Sequence, residues 1–491
     1  MAHAVQRNGL YALAALLAAA GAFWLSRLVG ELGSWPDQTA SLAGRAILSV
    51  GGQTELAPQL AAYPPLPYLL LSMVEVVARP LGLSSVALAT AGLAASLLVS
   101  QLRALRGAGY AWGTTFAFAL VFALHPLALL SVARGAQALM LLWGVWIFGR
   151  GLFAFRTRGG VNDLLALSLS LPLLALTSTR GAVVALSAIP FLLLAVPPDL
   201  RQRAYGSAYL VLLFPLLLAL LFMMALSAIL LQDPLAFITV DMLATGRWSD
   251  RPLALILAAS IAGVFGACVI GVGLILRSGQ RKPLQAAAGA LFGTIVLAVT
   301  VAALFGLADS ALHALSLTFG AMMVFAVSWP VEENRTLRVG ALLLLGLLVS
   351  IALIGADQRT ARNPRAVLFG NAAAAAPPAD LALGRWLGGR GSVMIDAQSH
   401  PQVIASRGSA EGLVTQTSPV FAISLLARRI FTDDVAVQQH RAGISADAIS
   451  RAMPDLYRSG PPGYRLSYDA GGWRVWSRPG ARENPDQENG Q

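Results

Sequence analysis

Three polar residues beside long apolar stretches are of types that could carry chemistry. Asp37 follows the first apolar stretch, and Arg134 and Arg180 each lie at the end of a later one. A carboxylate can take a proton from an attacking hydroxyl, and two guanidinium groups can hold a phosphate through paired hydrogen bonds. Each residue also has a plainer interpretation, since Asp37 could cap a helix over 38–48 and each arginine could reach the lipid headgroups.

A histidine and a mixed loop could add contacts to this set. His125 lies near the same predicted face, where a lone histidine serves either as a hydrogen-bonded packing residue or as a base or ligand. The loop 231–251 mixes apolar residues with charges such as Asp241 and Arg247. It could form a movable lid on the membrane or an ordinary amphipathic connector.

The composition indicates an integral membrane protein. Of the 491 residues, 56% are hydrophobic and only 12% are charged, whereas an ordinary soluble domain carries roughly 25% charged residues. Apolar runs of about 20 residues, the length that crosses a bilayer core, recur as far as about residue 355. These runs predict about eleven membrane-spanning helices, at 10–29, 84–102, 111–131, 136–153, 162–178, 181–197, 207–230, 252–276, 284–305, 310–328 and 338–355.

The net charge of +11 comes from basic clusters between the apolar runs. Cytoplasmic loops of membrane proteins are enriched in such residues, so the charge does not indicate a nucleic-acid-binding protein. One topology places every cluster in the cytoplasm: the N-terminus is inside, the segment 66–78 lies flat on the outer surface as an interfacial helix, and the C-terminal part is outside. The clusters are Arg7, Arg103 with Arg106, Arg150 with Arg156 and Arg158, Arg201 with Arg203, Arg277 with Arg281 and Lys282, and Arg335 with Arg338.

The residues after 356 predict a small extracytoplasmic α/β domain. The expected organisation is a transmembrane domain 1–356 with a large first outer loop 30–83, a linker 357–379, the α/β domain 380–480 and a disordered tail 481–491. That domain could dock an acceptor, cap the membrane site or only add stability. Its predicted elements are helices at 380–387 and 446–451, strands at 392–396, 402–406 and 435–438, and a hairpin of 464–468 with 473–476.

Several motifs of soluble enzymes are absent from the sequence. It has no Walker loop, no glycine fingerprint that opens a βαβ unit, no zinc-spaced histidine or cysteine cluster, and no Ser-His-Asp context. The only cysteine, Cys268, lies inside an apolar run, so no disulfide framework exists. Soluble nucleotide chemistry is therefore not expected.

Four motifs, in order along the chain, resemble the GT-C superfamily of polyprenyl-phosphate-sugar-dependent glycosyltransferases. The plan is similar to that of the protein O-mannosyltransferase and lipid A aminoarabinose transferase branch, and the chain is identified as family 39-like. Two departures concern acidic residues, since Gln38 stands where the family usually has a second acid and Leu139 stands where an acid is often found. The motifs are Pro36-Asp37-Gln38, Tyr63-Pro-Pro-Leu-Pro-Tyr68, His125-Pro126 through Arg134, and Leu176-Thr-Ser-Thr-Arg-Gly181.

The resemblance implies a bacterial inner-membrane enzyme that moves a sugar, with inversion, from a polyprenyl-phosphate donor to a periplasmic glycan, lipid or protein acceptor. It leaves open whether a divalent metal takes part, and it implies no other cofactor and no nucleic acid. Asp37 would be the catalytic base. The other implied site residues are the donor-phosphate ligands Arg134, Arg180 and Arg247, and the substrate contacts Gln38, Tyr63, Tyr68 and His125.

Two other classes remain as alternatives. A transporter or flippase of lipid-linked or small solutes would show broken helices, internal repeats and acids within the spans, and the sequence has no evident repeat. A glycan polymerase or ligase that uses a lipid-diphosphate donor would share most of the other features.

Overall fold

The computed structural model describes residues 2–32, 35–54, 59, 63–235, 237, 282–304, 310–328, 379–439 and 447–480. Within these ranges, five helices are long and apolar enough to cross a membrane, and one bent pair would make a sixth. This helix content is that of a membrane protein, and each of the five coincides with a predicted span. The predicted spans at 252–276 and 338–355 lie outside the described residues. The five helices are Asn8–Glu31, Ser85–Gly107, Ala136–Arg158, Gly206–Leu231 and Leu284–Ala302.

The chain divides into two compact units. The first, here called the helical unit, comprises Met1–Ser26, Ala61–Pro67 and Ala89–Gly370. The second, here called the sheet unit, comprises Arg27–Leu60, Tyr68–Leu88 and Asn371–Gln491. Most of the predicted first outer loop, 30–83, thus belongs to the same compact unit as the C-terminal residues.

The helices before the sheet follow the apolar runs of the sequence. Short 3-10 turns at Arg79–Leu81 and Ile189–Phe191 join some of them. In chain order they are α1 (Ala2–Glu31), α2 (Asp37–Val50), α3 (Pro65–Ala78), α4 (Ser85–Gly107), α5 (Trp112–Leu124), α6 (Pro126–Ala133), α7 (Ala136–Arg158), α8 (Val161–Thr177), α9 (Thr179–Ala188), α10 (Leu192–Ala195), α11 (Pro198–Leu231), α12 (Lys282–Leu304) and α13 (Ser310–Ser328).

A break divides the predicted span 111–131 into α5 and α6, which meet at 53°. The break lies at His125 because the following proline lacks an N–H and disfavours helical backbone in the residue before it. The imidazole Nδ1 of His125 accepts a hydrogen bond from the amide of Leu127 at 3.2 Å and so caps α6. The sequence identified the residue, and the structure gives its local role.

Large side chains fill the core of the helical unit. Trp146, Phe148 and Phe155 of α7 are almost fully buried, and they belong to one cluster with Leu174 of α8 and Phe292 of α12. In a bilayer, such helices associate through van der Waals packing and interhelical hydrogen bonds. The apolar runs therefore pack against one another within this unit as well as providing the length for a membrane span.

Basic residues gather where α7 ends. The guanidinium of Arg156 donates to the carbonyl of Val196, and Arg158 pairs with Asp163 at 2.6 Å. Helix α13 runs parallel to α7, because Gly149 lies against Val324 and Gly320 lies against Val145.

The end of α4 lies beside the end of α13, which runs parallel to α7. Tyr110, which follows α4, donates its hydroxyl to the carbonyl of Ala326 near the end of α13. Arg106 of α4 lies over the ring of Trp112, with its Cζ 4.7 Å from the ring centre. Two of the basic clusters thus lie at one end of the helical unit, about 34 Å along α7 from its first residue.

Helix α3 covers the segment 66–78, for which a short helix was expected. Its residues Met73, Val76 and Val77 are exposed, whereas Glu75 is buried. Burial raises the pKa of the Glu75 carboxyl, and a hydrogen bond with Ser85 and the charge of Arg79 oppose that rise. An outward apolar side suits a helix that lies on a membrane surface.

The sheet unit contains a five-stranded sheet in the order β2-β1-β3-β5-β4. Strands β1, β2 and β3 are parallel, and β5 and β4 continue the sheet as an antiparallel hairpin. The elements are α14 (Ala379–Trp386), β1 (Val393–Met394), α15 (Pro401–Arg407), β2 (Leu413–Val414), α16 (Pro419–Ala427), β3 (Asp434–Gln438), α17 (Ala448–Ala452), α18 (Leu456–Ser459), β4 (Arg465–Ala470) and β5 (Trp473–Ser477).

Helices cover both faces of this sheet. Alternate residues of a strand point to opposite faces, so Val393 and Ala436 pack with α14 and α15 while Met394 and Val435 pack with α16, α17 and α18. The prediction of a small C-terminal α/β domain is confirmed in this form.

One predicted strand is wrong. The segment 402–406 lies within helix α15, which begins with Pro401 and ends at Gly408 with a φ of +74°. Proline at the first helical position and glycine just after the last are typical helix boundaries. A strand was predicted here because Val403-Ile404 is a short apolar run, and such runs fit a strand and a buried helix equally well.

Asp447 supports the end of the sheet at which the parallel strands finish. Its Oδ1 accepts the amide of Ser450 at 2.5 Å and caps α17, and its Oδ2 lies 3.7 Å from Nε2 of His400. Burial raises the pKa of the Asp447 carboxyl, but the neighbouring His400 and Ser450 together hold it below its ordinary value of 3.8. The charged carboxylate therefore stabilises the fold above that pH, and the stabilisation is lost as the pH falls below it.

We expect Asp447→Asn to keep the helix cap and remove this pH dependence. At pH 7 the variant should lose about 1 kcal/mol of stability, and the difference from the parent should shrink as the pH falls through 3.8 and below. Thermal unfolding of the full chain at several pH values measures it. Asp469→Asn is the control, because Asp469 forms an exposed pair with Arg474 at 3.0 Å; an equal loss in both variants would contradict the assignment.

Candidate functional site

Helix α2 places Asp37 at its first position. Pro36 precedes the helix in an extended conformation, so Asp37 begins the helix and does not cap it. The structure describes only the backbone of Asp37, whose side chain lies outside the described residues. A carboxylate in the first turn is stabilised by the free N–H groups of the helix end. The neighbouring Gln38 is exposed.

The sheet unit holds α2 by direct backbone packing. A Cβ at Gly44 would lie 1.9 Å from the carbonyl oxygen of Pro401, so only glycine fits there. Ile47 and Leu48 of the same helix join the buried cluster of α14, α15 and the sheet. The helix that carries Asp37 is thus part of the core of the C-terminal domain.

The segment after α2 runs along the outer edge of the sheet. The carbonyl oxygen of Gln53 accepts the hydroxyl groups of Thr415 and Thr417, each at 2.8 Å. Both threonines follow β2, which is an edge strand. This contact fixes the far end of α2 and covers an edge that would otherwise be open to pairing.

Tyr68 and Arg45 join α2 to α3. The resemblance implies a substrate contact for Tyr68, but its side chain is fully buried and its hydroxyl donates to Ser49 Oγ at 2.7 Å. Arg45 donates its Nε to Gln59 at 2.7 Å, and its Cζ lies 5.0 Å from the Tyr68 ring centre. In this structure Tyr68 supports α2 and does not face a substrate.

In the helical unit, the turns that carry Arg134 and Arg180 lie side by side. Arg134 ends α6, and Arg180 is the second residue of α9. Gln137, three residues after Arg134, donates its amide to the carbonyl of Thr177 at 3.3 Å, three residues before Arg180. Both guanidinium side chains are half-buried.

The turn before Arg180 is tightly constrained. Ser178 Oγ accepts the amide of Gly181 at 3.0 Å and caps α9. A Cβ at Gly181 would lie 2.1 Å from the carbonyl oxygen of Leu174, so α8 and α9 meet through glycine. Tyr63 adds a further contact, because its hydroxyl donates to the carbonyl of Ala175 in the same turn. Arg180 is therefore held on a rigid support.

His125 lies away from this pair of turns. It is buried and stacks on Phe319, with ring centres 4.2 Å apart. Helix α6 separates it from Arg134 by about 12 Å. The structure thus favours the packing interpretation of His125 over the role of substrate contact that the resemblance implies.

The predicted site residues fall in both units. Tyr63, His125, Arg134 and Arg180 belong to the helical unit, whereas Asp37, Gln38 and Tyr68 belong to the sheet unit. Arg247 lies outside the described residues. Among the side chains that the structure describes, no group of three or more histidine, cysteine, aspartate or glutamate residues could hold a metal ion. We therefore assign no metal ligand.

Sequence reasoning missed several residues that build the site. Ser178 could have been found, because a serine before an apolar helix is a typical cap. Gln137 and Gly44 carry no local signal, because their roles depend on partners 40 residues and several hundred residues away along the chain.

Comparisons with known proteins add no support to the resemblance, which depends on the four sequence motifs alone. No family model matches the chain, and no curated protein matches it.

The packing at Gly44 predicts a sharp effect of one methyl group. Gly44→Ala should push α2 away from Pro401 and cost about 1–3 kcal/mol, because the added Cβ meets backbone that has little freedom to move. Hydrogen exchange of the full chain should show loss of protection in both α2 and α15. Gly391→Ala is the matched control, since nothing lies within 4 Å of a Cβ at Gly391. Unchanged protection in Gly44→Ala would contradict this packing.

Proposed function

We propose that this chain is a membrane glycosyltransferase of the GT-C type, which moves a sugar from a polyprenyl-phosphate donor to an extracytoplasmic acceptor. The observation that carries the proposal is the pairing of the Arg134 and Arg180 turns, about 34 Å along α7 from the basic residues at its other end. Half-buried arginines opposite the cytoplasmic clusters are suited to an anionic substrate at the outer face. The proposed membrane part has eleven spans, an inner-membrane location and a cytoplasmic N-terminus.

The transfer consists of one substitution at the anomeric carbon. The acceptor hydroxyl oxygen attacks that carbon and forms the new glycosidic bond while the bond to the phosphate oxygen breaks. The polyprenyl phosphate leaves with the electron pair, and Asp37 takes the proton of the hydroxyl. In-line attack inverts the configuration. An acceptor of this kind is a lipid-linked glycan, a polysaccharide or a protein.

The phosphate group needs stabilisation more than protonation, because it is already a good leaving group. Two guanidinium groups can form paired hydrogen bonds with its oxygens as the charge grows. The capped start of α9, which carries Arg180, adds the positive end of a helix. Arg247 is proposed as a further ligand on a lid, and Tyr63 as a support of the Arg180 turn.

The C-terminal domain gains a function in this scheme. It holds α2 through Gly44, Ile47 and Leu48 and so fixes the helix that begins at Asp37. General bases act only within hydrogen-bond reach of the proton they remove. A base on a free loop of about fifty residues would lose that precision.

The transfer itself is tested with purified protein and a panel of donors. Release of polyprenyl phosphate and formation of a glycosylated acceptor from polyprenyl-monophosphate sugars support the proposal. Turnover of lipid-diphosphate donors alone would indicate the polymerase or ligase class. Movement of an intact donor across vesicles, without bond cleavage, would indicate a flippase. Repeating the assay after removal of divalent ions tests the need for a metal.

Asp37→Asn should lower turnover by at least about 100-fold, which is the smaller end of what a general base contributes. Donor binding should change little, because the base contacts the acceptor. Single-turnover kinetics and a donor-binding measurement separate the two effects. Glu31→Gln is the control, since Glu31 lies six residues earlier and forms an exposed pair with Arg27 at 2.7 Å. Wild-type turnover by Asp37→Asn would contradict the role of Asp37.

Arg180→Lys should keep the charge but remove the planar fork that holds a phosphate through two bonds. We expect donor affinity to fall about tenfold, which corresponds to about 1.4 kcal/mol. Arg158→Lys, at the opposite end of α7 and paired with Asp163, should bind donor normally. Equal donor affinity in the two variants would show that Arg180 does not contact the phosphate.

A further inference from the structure

The parallel strands begin at one edge of the sheet, and this edge collects exposed arginines. Strand β5 ends at this edge, because its residue Ser477 pairs with Asp434 at the start of β3. Strand β4 begins at this edge, because its first residue Arg465 also pairs with Ser477. We call the exposed side chains at this edge the basic edge. They are Arg428 and Arg429 before β3, Phe431 beside them, Arg465 and Leu466 at the start of β4, and Arg478 after β5.

Among the residues that the structure describes, few acids neutralise the positive charge of the basic edge. Asp434 is buried, and it lies 3.7 Å from Arg390 and accepts a hydrogen bond from Ser477. Asp433, which is half-buried, and Glu411, which pairs with Arg79 at 2.9 Å, are the other acids at this edge. Within 379–439 and 447–480, four exposed guanidinium groups therefore face solvent with few acidic partners.

Apolar side chains lie among these arginines. On the outer face of α16, Ile423 is 54% exposed and Leu426 is 86% exposed, and Phe431 follows with 43% exposed. The Cζ of Arg429 lies 5.7 Å from the ring centre of Phe431. Exposed leucine and phenylalanine beside arginine form a typical interfacial surface, because the rings and alkyl groups enter the headgroup layer while the cations bind phosphates.

Two candidate membrane spans connect to the same edge. The guanidinium of Arg385, in the last turn of α14, donates to the carbonyl of Glu31, the last residue of the first candidate span. Arg79 pairs with Glu411, which lies two residues before β2, and the next candidate span begins at Ser85.

We propose that the basic edge docks on the anionic surface of the bilayer. Arg428, Arg429, Arg465 and Arg478 bind lipid phosphates, and Leu426 and Phe431 enter the headgroup layer. We assign the exposed apolar residues of α3 to the same lipid contact. The proposal depends on a chain that crosses the membrane and not on the reaction that it catalyses.

Lipid contact at Leu426 tests the proposal on the full chain. In a Cys268→Ser background, Leu426→Cys carries an environment-sensitive fluorophore, and the protein is reconstituted in vesicles of phosphatidylcholine alone or of phosphatidylcholine and phosphatidylglycerol in equal parts. Lipids with a quencher just below the headgroup should quench the label several-fold more in the anionic vesicles. A label on Gln439→Cys, which is exposed at the opposite edge of the sheet, should stay in water in both.

A second variant separates the charge from the apolar contact. Changing the four arginines to glutamine should abolish the extra quenching that anionic lipid produces at Leu426→Cys. Quenching at Leu426 no greater than at Gln439, or equal in the two kinds of vesicle, would overturn the proposal. Because the readout is lipid contact and not sugar transfer, its failure and a failure of the transferase proposal remain distinct.

Discussion

The packing of α2 against α15 is the contact on which the organisation of the chain depends. It brings the backbone at Gly44 against the carbonyl of Pro401, with no room for a side chain. This core joins α2, which precedes the later apolar helices, to the C-terminal domain, which follows them. The two segments must therefore lie on the same side of any bilayer. An even number of crossings must separate them, and ten of the eleven predicted spans do so.

The basic residues of the helical unit lie in two groups, one at each end of α7. Arg106, Arg156 and Arg158 lie at one end, where they bind backbone carbonyls, aromatic rings or Asp163. Arg134 and Arg180 lie on turns where α7 begins. A cation is costly at the centre of a bilayer and stable near either surface. The length of α7, about 34 Å, is enough to keep the two groups at opposite surfaces.

The sequence predicted the parts of this structure that depend on local signals. Apolar runs located the helices, His125-Pro126 located a break, and alternating residues near 435 and 475 located β3 and β5. The sequence did not predict the long-range contacts. No residue near Gly44 indicates that its backbone packs against Pro401, and no residue near Tyr68 indicates that its hydroxyl donates to Ser49. A tyrosine in a proline-rich motif fits a buried brace and a substrate contact equally well, and only packing separates them.

The same packing explains why a transferase of the proposed kind would carry a separate domain so far along the chain from its base. About four turns of helix, the length of α2, are marginal in water and need an apolar partner. Apolar helices in lipid offer no hydrophobic driving force to a segment that lies outside the bilayer. The sheet unit provides it, by burying Ile47 and Leu48 with Val403 and Ile404.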